Sequence, residues 1–310
     1  MKLNNKKRIT NPIYFELLKL KLINNNNLIK VSNKTRDKKI SVYQDKISKI
    51  IFLEKYLRKI NYYEKIKDRK KIYSLKNKEI DISKIKTTKG IVKSTNLNDD
   101  LRRFKQFNKH VFKKDILDFG CGLGKFLNYS KNAKSLNAVE IRKNCINFIK
   151  DNFKRINIKE NIKNFKIKFD IITMFHTLEH IPKQVEILKI LKNKIKKNGT
   201  IIIEVPHAND FLLNIDSMKE FKNFTFWSEH LILHTEQSLK KILQKTGFKK
   251  IKIEFFQRYG LDNHLGWVIH KKPSGHSYFK KFISANNNEN YKQKLIKLKM
   301  SDTLIAIASN

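Results

Sequence analysis

The stretch "DFGCGLG", residues 118–124, places three glycines at alternate positions directly behind the apolar run "DIL". Glycines this dense between a strand and a helix let backbone approach a ligand where side chains would intrude. An acid near the end of the following strand is then positioned to hold a ribose diol. Glu140 closes "LNAVE", 22 residues after Asp118 (140 − 118), within the expected reach of one strand-helix-strand unit.

From residue 115 onward strand and helix signals alternate. "DILDF", "LNAVEI", "FDIITMF", "TIIIEVP", "FKKIKIEFF" and "DTLIAIAS" read as strands. Between them the pattern predicts helices over 124–132, over "CINFIKDNF", over "IPKQVEILKILKNKIKKNG" with Pro182 in its first turn and Gly199 as its stop, and over "EQSLKKILQKTG" between Thr235 and Gly247. Such alternation predicts an α/β protein with a mostly parallel sheet covered on both faces, and ligands at the carboxyl ends of the strands. A further helix is expected at "NLNDDLRRFKQF", which has acidic residues in its first turn.

Residues 1–90 differ. "KKISVYQD" and "SKIIFLE" read as a hairpin, "FLEKYLRKINYYEKI" as a helix, and "TTKG" near Gly90 as a linker. Two domains are therefore expected: a small N-terminal α+β appendage over 1–90, for substrate contact or dimerisation, and a catalytic domain over 91–310.

The bend discriminates between ligands. A dinucleotide site wants G-x-G-x-x-G, but Lys125 stands where the third glycine would fall from Gly120. Asp118 would also repel a pyrophosphate lying on the helix N-terminus. S-adenosylmethionine carries no phosphate and presents an ammonium and a sulfonium, for which a carboxylate is favourable.

The stretch from about 95 to 310 resembles the class I S-adenosylmethionine-dependent methyltransferases, through "ILDFGCGLG", the acid in "VEI", "FDIITMFHTLEHIP" and "KKNGTIIIEVP" in their usual order. The resemblance implies a Rossmann-like seven-stranded, mostly parallel sheet with helices on both faces, its last strand antiparallel beside "KIKIEFF". It places Asp118, Gly120, Cys121, Gly122 and Gly124 at the methionine part of the cofactor and Glu140 at the ribose hydroxyls. Glu160 or Asn161 would meet the adenine, and His176 and His180 would shape the pocket.

Methyl transfer from a sulfonium asks the protein to align the acceptor and, where needed, remove its proton. The acceptor segments follow strands four and five. "FWSEHL" resembles the region of sugar C-methyltransferases and related carbohydrate or lipid methyltransferases that carries a Glu-His pair, matched here by Glu229 and His230. A carboxylate beside an imidazole raises its basicity, so these two are the catalytic candidates. Trp227 stands near where the C-methylating group often has tyrosine, which leaves O-methylation open. The insert at 257–300 is read as a substrate lid, or else as an ordinary β-hairpin extension. Within it, Arg258, Tyr259 and His264 are residue types that suit a sugar and an attached phosphate. The expected acceptor is a small molecule, saccharide-related, bound by a monomer or homodimer.

Two cysteines, Cys121 and Cys145, exclude a disulfide framework, and no cysteine precedes Cys121, so the cysteine-ligated zinc module of related enzymes is missing. Three histidines six residues apart in the insert do not form a helical ligand pattern, and no metal is expected. The formal charge of +40 suggests a polyanion partner, and an RNA methyltransferase is the alternative reading. Yet the lysines spread over every segment among many Asn and Ile, as compositional drift would spread them, so nucleic acid is not the expected substrate. No run approaches a membrane span, and a cytoplasmic location is expected. A non-enzymatic cofactor-binding scaffold is the remaining rival.

Overall fold

A computed structural model describes residues 9–57, 71–73, 79–81, 99–273 and 275–310. The expected linker near Gly90 and most of the helix expected over "FLEKYLRKINYYEKI" lie outside these residues. The first part of that helix is a strand instead, because Ile51–Leu53 carries three buried apolar side chains in a ladder.

Seven strands form the central sheet: β6 (Asp115–Phe119), β7 (Ser135–Val139), β8 (Ile156–Lys159), β9 (Phe169–Phe175), β10 (Ile195–Pro206), β12 (Lys250–Phe256) and β13 (Thr303–Ser309). Their spatial order is β12-β13-β10-β9-β6-β7-β8. The strands β8, β7, β6, β9 and β10 run parallel. β13 is antiparallel to both β10 and β12. This is the expected Rossmann-like sheet. Its strand order turns back between β6 and β9, the place where an open α/β sheet leaves a crevice at its carboxyl edge.

Helices α2 (Asp99–Val111), α3 (Lys125–Tyr129), α4 (Lys143–Asn152), α5 (Gln184–Asn193) and α7 (Glu236–Lys245) accompany the sheet. The helix expected to run to Gly199 stops at Asn193. Ile195 instead pairs with Phe169 at the start of β10, and Lys196 Nζ reaches Asp115 at 2.6 Å and Asp170 at 2.9 Å. Gly199 is not a helix stop: a Cβ there would stand 2.8 Å from the Asp170 carbonyl. The first helix is shorter than 124–132 because Ser130 turns its hydroxyl onto the Phe126 carbonyl and the chain leaves helical geometry. Over 257–300 the chain forms α8 (Leu261–His270), α9 (Gly275–Tyr278) and α10 (Ala285–Lys297), not a hairpin.

A second sheet runs β1 (Leu28–Ser32), β2 (Val42–Asp45), β3 (Ile51–Leu53), then β11 (Ile232–Leu233). The expected hairpin is β2–β3. Its third neighbour, β11, belongs to the segment following "FWSEHL", so the N-terminal residues are joined to that segment. Asn11, fully buried, donates to the carbonyls of both Leu53 and Leu231 at 2.9 and 3.0 Å. Glu16 in α1 (Pro12–Lys19) accepts from the backbone N–H groups of Gln184 and Val185, the first residues of α5. An acid at a helix start satisfies donors that have no partner within the helix. Buried residues of the appendage and of the central sheet form one continuous core.

Candidate active site

The bend after β6 needs glycine for two distinct reasons. Gly120, Gly122 and Gly124 have φ of +82°, +57° and +69°, the left-handed region that disfavours side chains. At Gly120 a Cβ would lie 2.4 Å from Thr177 Oγ1, and at Gly124 it would lie 3.1 Å from Ile149. At Gly122 its nearest neighbour would be Arg142 Nη2, an ordinary contact at 3.5 Å. Gly120 and Gly124 are thus hemmed in by protein, whereas a Cβ at Gly122 would meet only the tip of the Arg142 side chain, at ordinary contact distance.

Two acids flank this bend. Asp118 is 3% exposed and accepts from Thr173 Oγ1 at 2.8 Å. Burial raises its carboxyl to about 7, because that one hydrogen bond only partly compensates for lost water. Glu140 stays ionised more readily: burial opposes its charge, but Arg142 at 2.9 Å and the backbone hold it below the usual range. Its oxygens accept from the N–H groups of Gly122, Ile141 and Arg142 and from Arg142 Nε and Nη2. A diol can reach this carboxylate by displacing the guanidinium, which is one-third exposed. Cys121 is half-buried, its thiol pushed well up by burial. Glu160 and Asn161 are exposed just beyond β8, whose last residue Lys159 pairs with Val139, and the Asn161 side chain caps the turn that follows by accepting from Lys163 N.

The turn after β9 carries His176, Glu179 and His180. His176 has a φ of +48°, uncommon for a residue with a side chain and an indication that its surroundings fix it. Its Nδ1 lies 3.2 Å from Glu179 Oε1 and its Nε2 3.3 Å from Glu204 Oε1. Glu204, fully buried at the end of β10, also pairs with Arg102 at 2.8 Å and Arg103 at 2.7 Å from α2. Arg258 joins this buried network through Asp99 at 2.5 Å. Burial alone would raise the Glu179 carboxyl, but the His176 hydrogen bond and the neighbouring imidazoles hold it at about 2.

His180 packs with residues of the segment after β10. Its ring lies 4.9 Å from that of His230 and 5.9 Å from that of Trp227, and Trp227 is 5.2 Å from His230. His180 Nδ1 donates to the Glu229 carbonyl at 2.9 Å. The carboxylate gathered with His180 and His230 is therefore Glu179, not the sequence neighbour Glu229. Burial pushes the His230 imidazole down to about 3, with His180 adding to the effect, so it is neutral near pH 7. Arg36 of the N-terminal part lies 5.1 Å over the Trp227 ring. Asp37 fixes the same loop by accepting from Ser228 Oγ at 2.6 Å and Ser228 N at 3.1 Å.

Of the insert residues, His264 is 5% exposed, stacked on Phe211 and bonded to the Tyr291 hydroxyl at 2.9 Å. Tyr259 lies under the Arg258 guanidinium at 5.2 Å, and its N–H donates to Asp302. These residues pack the insert onto the sheet, while Trp227 lines the histidine cluster. Sequence reasoning missed Glu179, Arg142, Thr173, Glu204 and Arg36. Glu179 and Arg142 had visible signals, an acid beside a histidine inside "FHTLEHIP" and a guanidinium two residues after Glu140; the others become neighbours only through tertiary structure.

Residues 88–253 match the family model described as a methyltransferase domain. No curated protein matches the sequence. Among solved structures, the chain is similar to a SAM-dependent methyltransferase from Archaeoglobus fulgidus, at 22% identity over 67% of this chain and 92% of that one, with a TM-score of 0.48. It is also similar to a possible histamine N-methyltransferase from Thermotoga maritima, at 14% identity over 68% and 88%, TM-score 0.45. A third is magnesium protoporphyrin IX methyltransferase from Synechocystis PCC 6803, at 10% identity over 68% and 81%, TM-score 0.42. The family match takes in more than half of the residues and includes the glycine bend, both flanking acids and the histidine cluster, and on that match the chain belongs to the methyltransferase domain family.

Proposed function

We propose that this protein transfers a methyl group from S-adenosylmethionine to a hydroxyl or carbon of a small molecule, a saccharide or saccharide-linked intermediate. The observation that carries the cofactor reading is Gly122: a left-handed glycine with no chain atom crowding its missing Cβ, set between two buried carboxylates. Two acids suit a ligand with an ammonium and a sulfonium and repel one with phosphates. When bound, the cofactor supplies a methyl on a positively charged sulfur with an excellent leaving group.

The chain's own residues do the rest. Asp118 gives the methionine end a counter-charge, Glu140 exchanges Arg142 for the ribose hydroxyls, and the Gly122 backbone permits close approach. On the acceptor side, Trp227 and Arg36 offer an aromatic face and a cation, the combination that suits a sugar ring bearing an anionic group. In the absence of an ion, the acceptor's proton leaves to the buried Nδ1 of His230, which has no hydrogen-bond partner, with the Glu179 carboxylate beside it to offset the charge.

Titration calorimetry tests the first half: S-adenosylmethionine and S-adenosylhomocysteine should bind and NADH should not, and Asp118→Ala should remove most of the affinity. Incubating a cell extract with enzyme and methyl-labelled cofactor, then profiling the labelled products, tests the second. Label in RNA rather than in small metabolites would overturn the saccharide reading.

A further inference from the structure

We infer that Glu179, His180 and His230 form a binding site for a divalent metal ion of the zinc type on the acceptor side of the crevice. What the ion would do there rests on the function proposed above; the site itself rests on geometry. The three residues each offer a ligand atom, and all three atoms lie within 4.8 Å of one another. Three points so spaced always have a common centre no more than about 2.8 Å from each, whereas zinc bonds to nitrogen and oxygen are about 2.0–2.2 Å long. Side-chain shifts of about 0.7 Å would close the difference.

Two orphaned atoms point to a missing partner. Glu179 is fully buried, yet its Oε2 has no hydrogen bond, and neither has the buried Nδ1 of His230. Desolvated polar atoms are seldom left unpaired, and each calls for an explanation such as an ion. A divalent cation would take a lone pair from each.

The surroundings are those of a metal ligand set. His180 donates its Nδ1 proton to the Glu229 carbonyl, which fixes the ring and leaves Nε2 with its lone pair inward. Ligating histidines are commonly held in this way. Glu179 Oε1 is held from behind by His176 Nδ1. Two imidazoles and one carboxylate favour zinc-class ions over magnesium or calcium, which prefer oxygen. Three protein ligands leave a coordination position open, as at catalytic rather than structural sites. An acceptor oxygen bound there would be polarised. The absence of cysteines before Cys121 therefore excludes the thiolate module, not a nitrogen and oxygen site.

The test uses untagged protein stripped with chelator and dialysed. Calorimetry with ZnCl2, and CoCl2 followed by visible absorption, should show one equivalent bound at micromolar affinity or tighter, with the intense d–d bands of four- or five-coordinate cobalt. His230→Ala should weaken the ion at least tenfold and should leave folding intact, since that Nδ1 has no partner to lose. Glu179→Gln should also weaken it, and the thermal melt of each variant checks the fold. No stoichiometric binding, or binding unchanged in His230→Ala, would overturn the inference. S-adenosylmethionine binding is measured on the same samples: if it persists without any ion site, this inference alone fails, whereas its loss strikes the proposed function instead.

Discussion

Gly122→Ala separates the cofactor's requirement for glycine from the fold's. In the folded chain the new methyl meets protein no closer than 3.5 Å, so steric cost is small and the backbone cost dominates. Holding alanine at a φ of +57° costs about 1–2 kcal/mol, and the stiffer unfolded chain returns about 0.4–1 kcal/mol. A net loss of about 1 kcal/mol lowers the melting temperature by about 2–4 °C in a domain of this order of size. The same methyl, however, occupies the space where a ligand would approach the bend. Losing that close contact should weaken S-adenosylmethionine about 10- to 100-fold, or about 1.4–2.8 kcal/mol. Gly120→Ala supplies the contrast: its Cβ would stand 2.4 Å from Thr177 Oγ1, so overpacking of about 1–3 kcal/mol adds to the backbone cost and the fold itself suffers. Differential scanning fluorimetry and calorimetry on both variants decide the matter. If Gly122→Ala binds the cofactor as tightly as the parent, the open face of the bend is not where the ligand lies.

Three further outcomes are expected. Glu204→Ala leaves the buried Arg103 and the half-buried Arg102 without their shared carboxylate and should cost about 3–5 kcal/mol in urea denaturation, the range for breaking one partner out of a buried ion network. Asp118 and Asp210 have folded pKa values raised by burial to about 7 and about 8. The native state therefore holds more protons than the unfolded one above about pH 4, and their contribution to stability, full below that pH, is lost as the pH rises toward 8. Asp118→Asn should remove that residue's share, read as the difference between the two apo melts across the window, and cationic cofactor binding near pH 6.5 should release a proton, seen as a calorimetric enthalpy that varies with buffer. Asn11→Ala removes a helix N-cap and the two bonds to Leu53 and Leu231, at a cost of about 2–4 kcal/mol. Hydrogen exchange should then quicken over 226–233 while the glycine bend stays protected.

The strand order and the glycine bend were legible because both are written locally: apolar runs of strand length, punctuated by glycines, in one familiar succession. The end of α5 was not. "ILKNKIKKNG" continues a helical period through Ile195, and what stops it is tertiary, the pairing of Ile195 with Phe169 and the bonds from Lys196 to Asp115 and Asp170. The insert gave no clear period, and its helices are fixed by contacts such as His264 with Tyr291 and Phe211. At the candidate site, adjacency in sequence suggested Glu229 as the partner of His230. The backbone between them turns so that Glu229 presents its carbonyl to His180, and the acid facing His230 comes from another segment altogether.

The N-terminal part acquires a physical role from the same geometry. The acceptor segment 226–233 leaves the sheet after β10 and would otherwise be a long surface loop, the kind of element that drifts among conformations. Here it is held at successive points: Arg36 N donates to the Phe226 carbonyl at 2.7 Å, Asp37 grips Ser228, Leu53 N donates to the Leu231 carbonyl, and Ile232 and Leu233 pair with Phe52 and Ile51. From the other side Leu231 N donates to the Glu179 carbonyl at 2.9 Å. The loop bearing Trp227 and His230 is therefore a strand-like tie between two sheets, and the spacing of His230 from Glu179 and His180 is set by that tie. A histidine positioned this firmly suits a task that depends on sub-ångström placement, whether taking a proton or sharing an ion. It follows that changes confined to the N-terminal hairpin should alter turnover on the acceptor while leaving cofactor affinity where it was.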